Sequence, residues 1–203
     1  MIPATPFDDV QALLDWRRRV ADLYHEVRAD PDPRQAWEHW RAARDELIGS
    51  HPQSPLGPAG RERFDGVAYF DYDPRYRVAA ELATTDPAEL DIPEGRCTRF
   101  AHAEFELDRV ALRLDCFWLN GYGGGLFLPF GDTTNGTTTY GGGRYLLDTA
   151  KGADLGGGNG RLVLDFNFAY NPSCAYDPRW VCPLAPPGNR LPVAVEAGER
   201  LAR

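Results

Sequence analysis

Four polar side chains between residues 132 and 167 are of types that can carry out chemistry: Asp132, Arg144, Asp165 and Asn167. An arginine guanidinium can bind an anion through paired hydrogen bonds, and a carboxyl group of suitable pKa can exchange a proton. We therefore predict that Arg144 binds an anion, that Asn167 orients it, and that Asp132 or Asp165 acts as acid or base. The alternative is structural, because a buried arginine among carboxylates often forms only an ion-pair network.

The loop at residues 169–189 supplies further candidates for binding. A loop of this length in a compact domain is usually functional or packed on itself. Its tyrosine and asparagine side chains, with a tyrosine from the glycine-rich segment before Arg144, would form the wall of a site for a small polar or anionic molecule. The predicted binding residues are Tyr140, Arg144, Asn167, Tyr170, Asn171, Tyr176 and Asn189.

Two of the four cysteines, Cys174 and Cys182, lie in the same loop and form a separate candidate site. Their Cys-x7-Cys spacing differs from the Cys-x2-4-Cys pairs of structural zinc sites, which usually have four ligands. We interpret both as structural thiols and predict no bound metal. The alternative is a thiol or metal enzyme in which these two residues react or bind the metal.

Three glycine-rich segments, GYGGG at 121–125, YGGGR at 140–144 and LGGGNG at 155–160, contain neither a P-loop nor a dinucleotide-binding motif. None of them follows a predicted strand and begins a predicted helix. We interpret them as turns and predict no cofactor.

The formal net charge of −8 argues against nucleic acid and anionic membranes as partners, because both attract basic proteins. No apolar run reaches the ~18 residues of a membrane span. Residues 1–16 lack the basic and apolar regions of a signal peptide. We therefore expect a soluble, cytoplasmic protein whose cysteines stay reduced.

The N-terminal quarter of the chain has the pattern of two helices. In residues 6–28 the apolar residues recur at spacings of three and four, which indicates an amphipathic helix. The second helix would begin after Asp32, a favourable N-cap followed by proline, and would end at Gly49. Residues 50–63 are rich in proline and glycine and would form a strap over the domain.

From Phe64 onward the apolar residues alternate, which is typical of strands with one buried face. The clearest hairpin has Asp108 and Arg109 at its tip, and an Asn135-Gly136 turn predicts another. The predicted strands cover residues 67–72, 77–83, 99–107, 110–119, 126–130, both sides of the Asn135-Gly136 turn, 161–168 and 191–195, with a loop at 84–95. The predicted fold class is mainly β: a barrel or sandwich of about eight short, mostly antiparallel strands with two N-terminal α-helices.

The segments LFLPFGDTTNGTTTYGGGRYLLD (126–148) and LDFNFAYNPSCAYDPRWVCPLAPPGNRLPVAVEAGE (164–199) resemble the bacterial and archaeal family DUF1684, a domain of unknown function. HPQSPL at 51–56 and the strand around 69–72 also fit, so the resemblance covers nearly the whole chain. The matching motif positions include every predicted site residue and both Cys174 and Cys182. The resemblance implies which positions belong to the family pattern and assigns no role to them.

The leading hypothesis is a cytoplasmic β-domain protein that binds a small polar or anionic molecule, with acid–base catalysis left open. The alternatives are a non-catalytic interaction module, whose N-terminal tryptophans would pack on the β domain or on a second copy, and the thiol or metal enzyme described above. A homodimer is one form the interaction module would take. The predicted division is a helical arm at 1–49, a strap at 50–63 and a β domain at 64–203.

Overall fold

The computed structural model describes residues 7–93 and 95–202, and this part of the chain begins with helices. The helices are α1 (Phe7–Ala29), α2 (Pro33–Ser50) and a single turn, α3 (Pro58–Arg61). Among the described residues, no helix is both long enough and apolar enough to cross a membrane.

Both long helices were predicted and are confirmed. Asp32 caps α2, because its carboxylate accepts hydrogen bonds from the backbone N–H groups of Arg34 at 2.9 Å and Gln35 at 3.4 Å. Gly49 does not end the helix, which continues to Ser50. The predicted start of α1 at residue 6 lies outside the described residues.

Seven strands follow the helices: β1 (Arg77–Ile92), β2 (Gly95–Leu107), β3 (Val110–Asn120), β4 (Leu126–Phe130), β5 (Arg144–Asp148), β6 (Gly157–Gly158) and β7 (Arg161–Asp165). They form one curled antiparallel sheet in the order β5-β4-β3-β2-β1-β7-β6. The mainly β class is therefore confirmed. The predicted count of eight strands is not, and the described strands form neither a closed barrel nor a second sheet.

Strand β1 corrects the predicted loop at 84–95, because it continues to Ile92 and pairs with β2. The register of this pairing shifts between Thr84 and Ala88, a stretch that contains Pro87. Proline has no N–H to donate to a neighbouring strand, and a bulge is one of the few places where a sheet accepts it. The turn-forming residues between Thr84 and Ala88 therefore mark a shift of register within β1, and not the end of the strand.

Two predicted strands, at 67–72 and 191–195, do not join the sheet. The Asn135-Gly136 turn does not join two strands either. Gly136 has a φ of 79°, but Asn135 is not among the described residues with positive φ. The Asn135 side chain instead accepts a hydrogen bond from the Asp132 backbone N–H at 2.5 Å and donates one to the Tyr140 carbonyl at 2.6 Å. These contacts close a compact loop before β5.

The core lies between the sheet, the two helices and the segments that follow β7 and precede β1. Trp40 of α2 is fully buried, with its ring 5.1 Å from that of Phe168. The indole N–H of Trp37 donates to the Asn167 carbonyl at 2.8 Å. Helix α2 is thus tied by two buried tryptophans to the segment that carries two of the predicted site residues. The division at 49 and 63 stays a prediction.

Candidate functional site

Arg144 and Asp132 form a buried ion pair at the start of strand β5. Both side chains are fully buried, and Arg144 Nη2 lies 2.8 Å from Asp132 Oδ2. The same guanidinium donates to three backbone carbonyls of the C-terminal segment, those of Val195 (2.9 Å), Ala197 and Glu199 (3.1 Å). Burial lowers the pKa of Arg144, while the Asp132 carboxylate acts in the opposite direction. An ion pair of this kind was the structural alternative stated for a buried arginine among carboxylates, and the guanidinium already bonds to the protein's own chain. Anion binding by Arg144 stays a prediction.

Asp165 and Asn167 form a second buried cluster where β7 ends. Asp165 accepts hydrogen bonds from the Asn167 backbone N–H at 3.1 Å and from its side-chain amide at 2.8 Å. Arg77 Nη1 lies 3.2 Å from Asp165 Oδ2. The Asn167 amide also accepts from the Asp73 N–H and donates to the Asp73 carbonyl, at 3.0 and 2.9 Å. Burial raises the pKa of Asp165, although Asn167 and Arg77 oppose that shift.

These two clusters do not converge on one open site. Among the described residues, no hydrogen bond or ion pair joins Asp132 or Arg144 to Asp165 or Asn167. Apolar rings make the connection instead: Arg144 lies over the ring of Phe130, and that ring packs 5.1 Å from Phe166.

Glu199 is a polar centre that the sequence reasoning missed. Its fully buried carboxylate pairs with Arg44 of α2 and accepts from the Tyr176 hydroxyl at 2.6 Å and the Asn171 N–H at 2.7 Å. The Arg44 guanidinium lies 4.9 Å from the centre of the Tyr170 ring. Three of the predicted wall residues therefore meet around Glu199. The run VAVEAGE places two acidic residues among apolar and small ones, and the second of them, Glu199, was the available signal.

Asn189, another predicted binding residue, links strands β3 and β4 through hydrogen bonds. Its fully buried amide accepts from the Asp115 N–H at 2.8 Å and donates to the Asp115 carbonyl at 3.0 Å. A further bond to the Pro129 carbonyl, at 2.7 Å, links it to β4. All of these contacts are internal to the chain.

The fourth cluster contains Cys174, Cys182 and Tyr140. The Cys174 backbone N–H donates to the Cys182 sulfur at 3.4 Å, and the Tyr140 hydroxyl lies 3.6 Å from the Cys174 sulfur. The hydrogen bond to Cys174, together with burial, raises the pKa of Tyr140 to about 12. Burial also raises the pKa of the Cys182 thiol, and its contact with the Cys174 thiol adds to the shift. The described residues contain no group of three or more His, Cys, Asp or Glu side chains placed to hold a metal ion.

The cavities lie elsewhere. One of about 330 Å³ is enclosed by α1, the start of α2, the start of β1 and the glycine turn at β6. Arg28, Asp30 and Arg77 supply its charged groups, and its other lining residues are Val27, Pro33, Ala36, Leu155, Gly156, Gly157, Val163 and Phe168. A groove of about 540 Å³ and a depression of about 300 Å³ share Phe70, Asp71 and Glu196. None of the predicted site residues lines these three cavities. Asp165 is linked to the first cavity through its ion pair with Arg77.

Comparisons with known proteins agree with the resemblance found in the sequence. The family model described as "Protein of unknown function (DUF1684)" matches residues 62–200. A solution NMR structure of an uncharacterised protein from Haloarcula marismortui is 37% identical, with a TM-score of 0.60. The match covers 82% of this chain and 93% of that one. Among functionally curated proteins, none is similar enough to count as a relative.

Proposed function

This chain belongs to the DUF1684 family of proteins of unknown function, and we propose that it binds a small organic anion in the 330 Å³ cavity beside α1 and α2. The observation that carries the proposal is the presence of two guanidinium groups, from different elements, at one cavity whose lining is part polar and part apolar. We refer to this cavity as the arginine cavity.

The charge of the arginine cavity favours a ligand with one negative charge. Arg28 and Arg77 contribute two positive charges to the lining and Asp30 one negative charge, so the lining itself carries +1. Asp154 and Asp165 pair with the two arginines from behind, at 3.9 and 3.2 Å, through Nη1 of each guanidinium. The two guanidinium-bearing side chains are 34% and 39% exposed, so both retain access to solvent and to a ligand. A guanidinium presents parallel N–H donors that match the two oxygens of a carboxylate.

The position of each arginine is fixed by a contact behind it. Arg28 Nη1 donates to the Asp154 carbonyl at 2.6 Å. Arg77 is held by buried Asp165 at 3.2 Å. In this proposal Asp165 acts as a positioning residue for Arg77, and the predicted acid–base roles of Asp132 and Asp165 stay predictions.

The rest of the lining sets the size and polarity of the ligand. Val27, Leu155 and Phe168 offer apolar surface to the body of the ligand. Small-molecule sites usually measure ~300–1,000 Å³, so the cavity is at the lower end of that range. A carboxylate on a short aliphatic chain or a single aromatic ring fits this description. The predicted cytoplasmic location and homodimer stay predictions.

The test is calorimetric titration with benzoate and, as the neutral control of the same shape, benzamide. We expect benzoate to bind and benzamide to bind at least about tenfold more weakly, since a charge-assisted hydrogen bond contributes about 1.5–3 kcal/mol. Arg28→Gln should weaken benzoate binding by a similar factor. Arg18→Gln, at an exposed position of the same helix, makes the same change of charge and should have no effect.

A second variant tests whether benzoate binds inside the cavity or only to charged groups on the protein surface. Ala36 is buried on the cavity wall, so Ala36→Leu would place a larger side chain in the ligand's space. Benzoate binding should be lost while thermal unfolding stays cooperative. If benzoate and a panel of short aliphatic carboxylates fail to bind, or if binding survives both Arg28→Gln and Ala36→Leu, the proposal is wrong.

A further inference from the structure

Cys174 and Cys182 are neighbours in space as well as in the loop. The Cys182 sulfur accepts a hydrogen bond from the Cys174 backbone N–H at 3.4 Å, which places that sulfur beside residue 174. Rotation of the Cys174 side chain about its Cα–Cβ bond moves its sulfur among three positions beside that same N–H. A disulfide requires an S–S distance of about 2.05 Å, so a change of side-chain rotamer and a small loop adjustment would bring the sulfurs together.

Both sulfurs are also within reach of a reagent, which distinguishes them from the other two cysteines. Cys174 and Cys182 are partly exposed, whereas Cys97 and Cys116 are fully buried. Burial raises the pKa of Cys97 to about 11 and that of Cys116 to about 12, which keeps both as unreactive thiols near neutral pH.

We propose that Cys174 and Cys182 form a thiol–disulfide exchange site that is oxidised by low-molecular-weight disulfides such as oxidised glutathione. One cysteine thiolate attacks a sulfur of the small disulfide, and a mixed disulfide forms as the first thiolate leaves. The second cysteine thiolate then attacks the protein sulfur of that mixed disulfide and expels the second small thiolate. Two electrons pass from the two cysteines to the small disulfide, and the two protons end on the released thiols.

Tyr140 is a positioning residue for this exchange. Its hydroxyl lies 3.6 Å from the Cys174 sulfur, and with a pKa near 12 it stays protonated at neutral pH. It can therefore donate a hydrogen bond to the Cys174 sulfur when that sulfur carries negative charge. Neither cysteine lines the arginine cavity, so the exchange is independent of the proposed anion binding.

The experiment treats the full chain under native conditions with oxidised glutathione and follows the intact mass. We expect the loss of two hydrogens without a lasting adduct, and peptide mapping should place the disulfide between Cys174 and Cys182. Cys174→Ser and Cys182→Ser should each stop at one stable glutathione adduct on the remaining loop cysteine. Cys97→Ala, which removes a buried thiol, should close the disulfide as the unchanged protein does. Tyr140→Phe should slow the exchange at neutral pH more than at alkaline pH.

The unfolded protein serves as the control for the reagent. A chain unfolded in guanidinium chloride should react at all four cysteines, which shows that the reagent is competent. The proposal is overturned if the native chain accumulates two glutathione adducts without closing. It is also overturned if the native chain stays unreacted under conditions that modify the unfolded one.

Discussion

Replacing Arg144 by methionine should destabilise the protein severely, because the guanidinium bonds to four buried acceptors. Removing one member of a buried ion pair costs about 3–5 kcal/mol, and Asp132 would be left charged and fully buried. Each of the three backbone carbonyls that loses its donor adds about 0.5–1.5 kcal/mol. The total is roughly 5–9 kcal/mol, against a whole-domain stability of about 5–15 kcal/mol. We therefore expect Arg144→Met to be marginally folded or unfolded in buffer.

The assay is urea unfolding followed by tryptophan fluorescence, with the free energy of unfolding obtained by linear extrapolation. The matched control is Arg161→Met. Arg161 is 62% exposed and pairs with Glu81 on the surface, so its loss should cost less than about 1 kcal/mol. The double variant Arg144→Met, Asp132→Asn removes the stranded charge and should be more stable than Arg144→Met alone by about 1 kcal/mol or more. The reasoning is refuted if Arg144→Met unfolds cooperatively with a loss below about 1 kcal/mol, since Arg144 would then be free to serve a ligand.

Three further changes should each act through one defined group. Asp148→Asn should stabilise the protein at neutral pH, because burial raises the pKa of this carboxyl and its Oδ1 has no hydrogen-bond partner among the described residues. Because the folded-state pKa is raised, the free energy of unfolding falls as pH rises from the ordinary carboxyl pKa through the folded-state pKa. Urea unfolding over that pH interval should show a smaller fall in the free energy of unfolding for Asp148→Asn than for the unchanged protein. The same pH profile in both proteins would contradict this prediction. Glu199→Gln should lower the free energy of unfolding by about 3 kcal/mol in the same assay, because the Arg44 guanidinium loses its buried carboxylate. Glu196→Gln, at an exposed position, should have little effect. Equal decreases for the two variants would argue against a stabilising buried pair. Asp32→Ala should cost about 1 kcal/mol by removing the N-cap of α2, measured by thermal unfolding in circular dichroism, and an unchanged midpoint would show that the cap does not stabilise the fold.

The sequence predicted those elements whose signals are local. The amphipathic spacing and the Asp32 cap identify the two helices. The hairpin tip at Asp108 and Arg109 is confirmed, with φ angles of 49° and 66° that suit a tight turn between strands. The second half of β1 was missed because Pro87 and its neighbours have turn-forming character. Only the pairing with β2, which is not a local property, shows that the strand continues past them.

The candidate site depends on contacts that are not local. Residue type and spacing placed Asp132 and Arg144 in one polar group, with an ion-pair network as the structural alternative, but could not show how many other acceptors the guanidinium contacts. The arginine cavity gave no signal in the sequence. Arg28 ends a helix and Arg77 begins a strand, and each is an ordinary surface residue in its own local pattern. Their common cavity results from the packing of α1 beside the edge of the sheet.

The Arg144 guanidinium provides hydrogen bonds to backbone carbonyls of the C-terminal segment that a neighbouring strand would otherwise provide. The C-terminal segment was predicted to be a strand up to residue 195, yet among the described residues it makes only isolated bridges, Gly131 with Arg190 and Tyr69 with Glu199, and no continuous ladder. The carbonyls of Val195, Ala197 and Glu199 all accept from the Arg144 guanidinium, and the chain changes direction at Gly198, whose φ is 74°. Buried carbonyls need donors, and one guanidinium serves all three. The guanidinium and carboxylate of this cluster thus satisfy buried backbone groups of the C-terminal segment.

This arrangement separates the structural network from the proposed anion site along the chain. Asp132, Arg144 and the carbonyls they support all lie within residues 62–200, the part matched by the family model. The arginine cavity combines Arg77 from that part with Arg28 and Asp30 from the helical region, which lies outside it. If the cavity binds the ligand, then the helical region supplies two of its three charged lining residues. The consequence is that a relative with a different helical region would keep the Arg144 network and the fold, while its cavity would select a ligand of different charge.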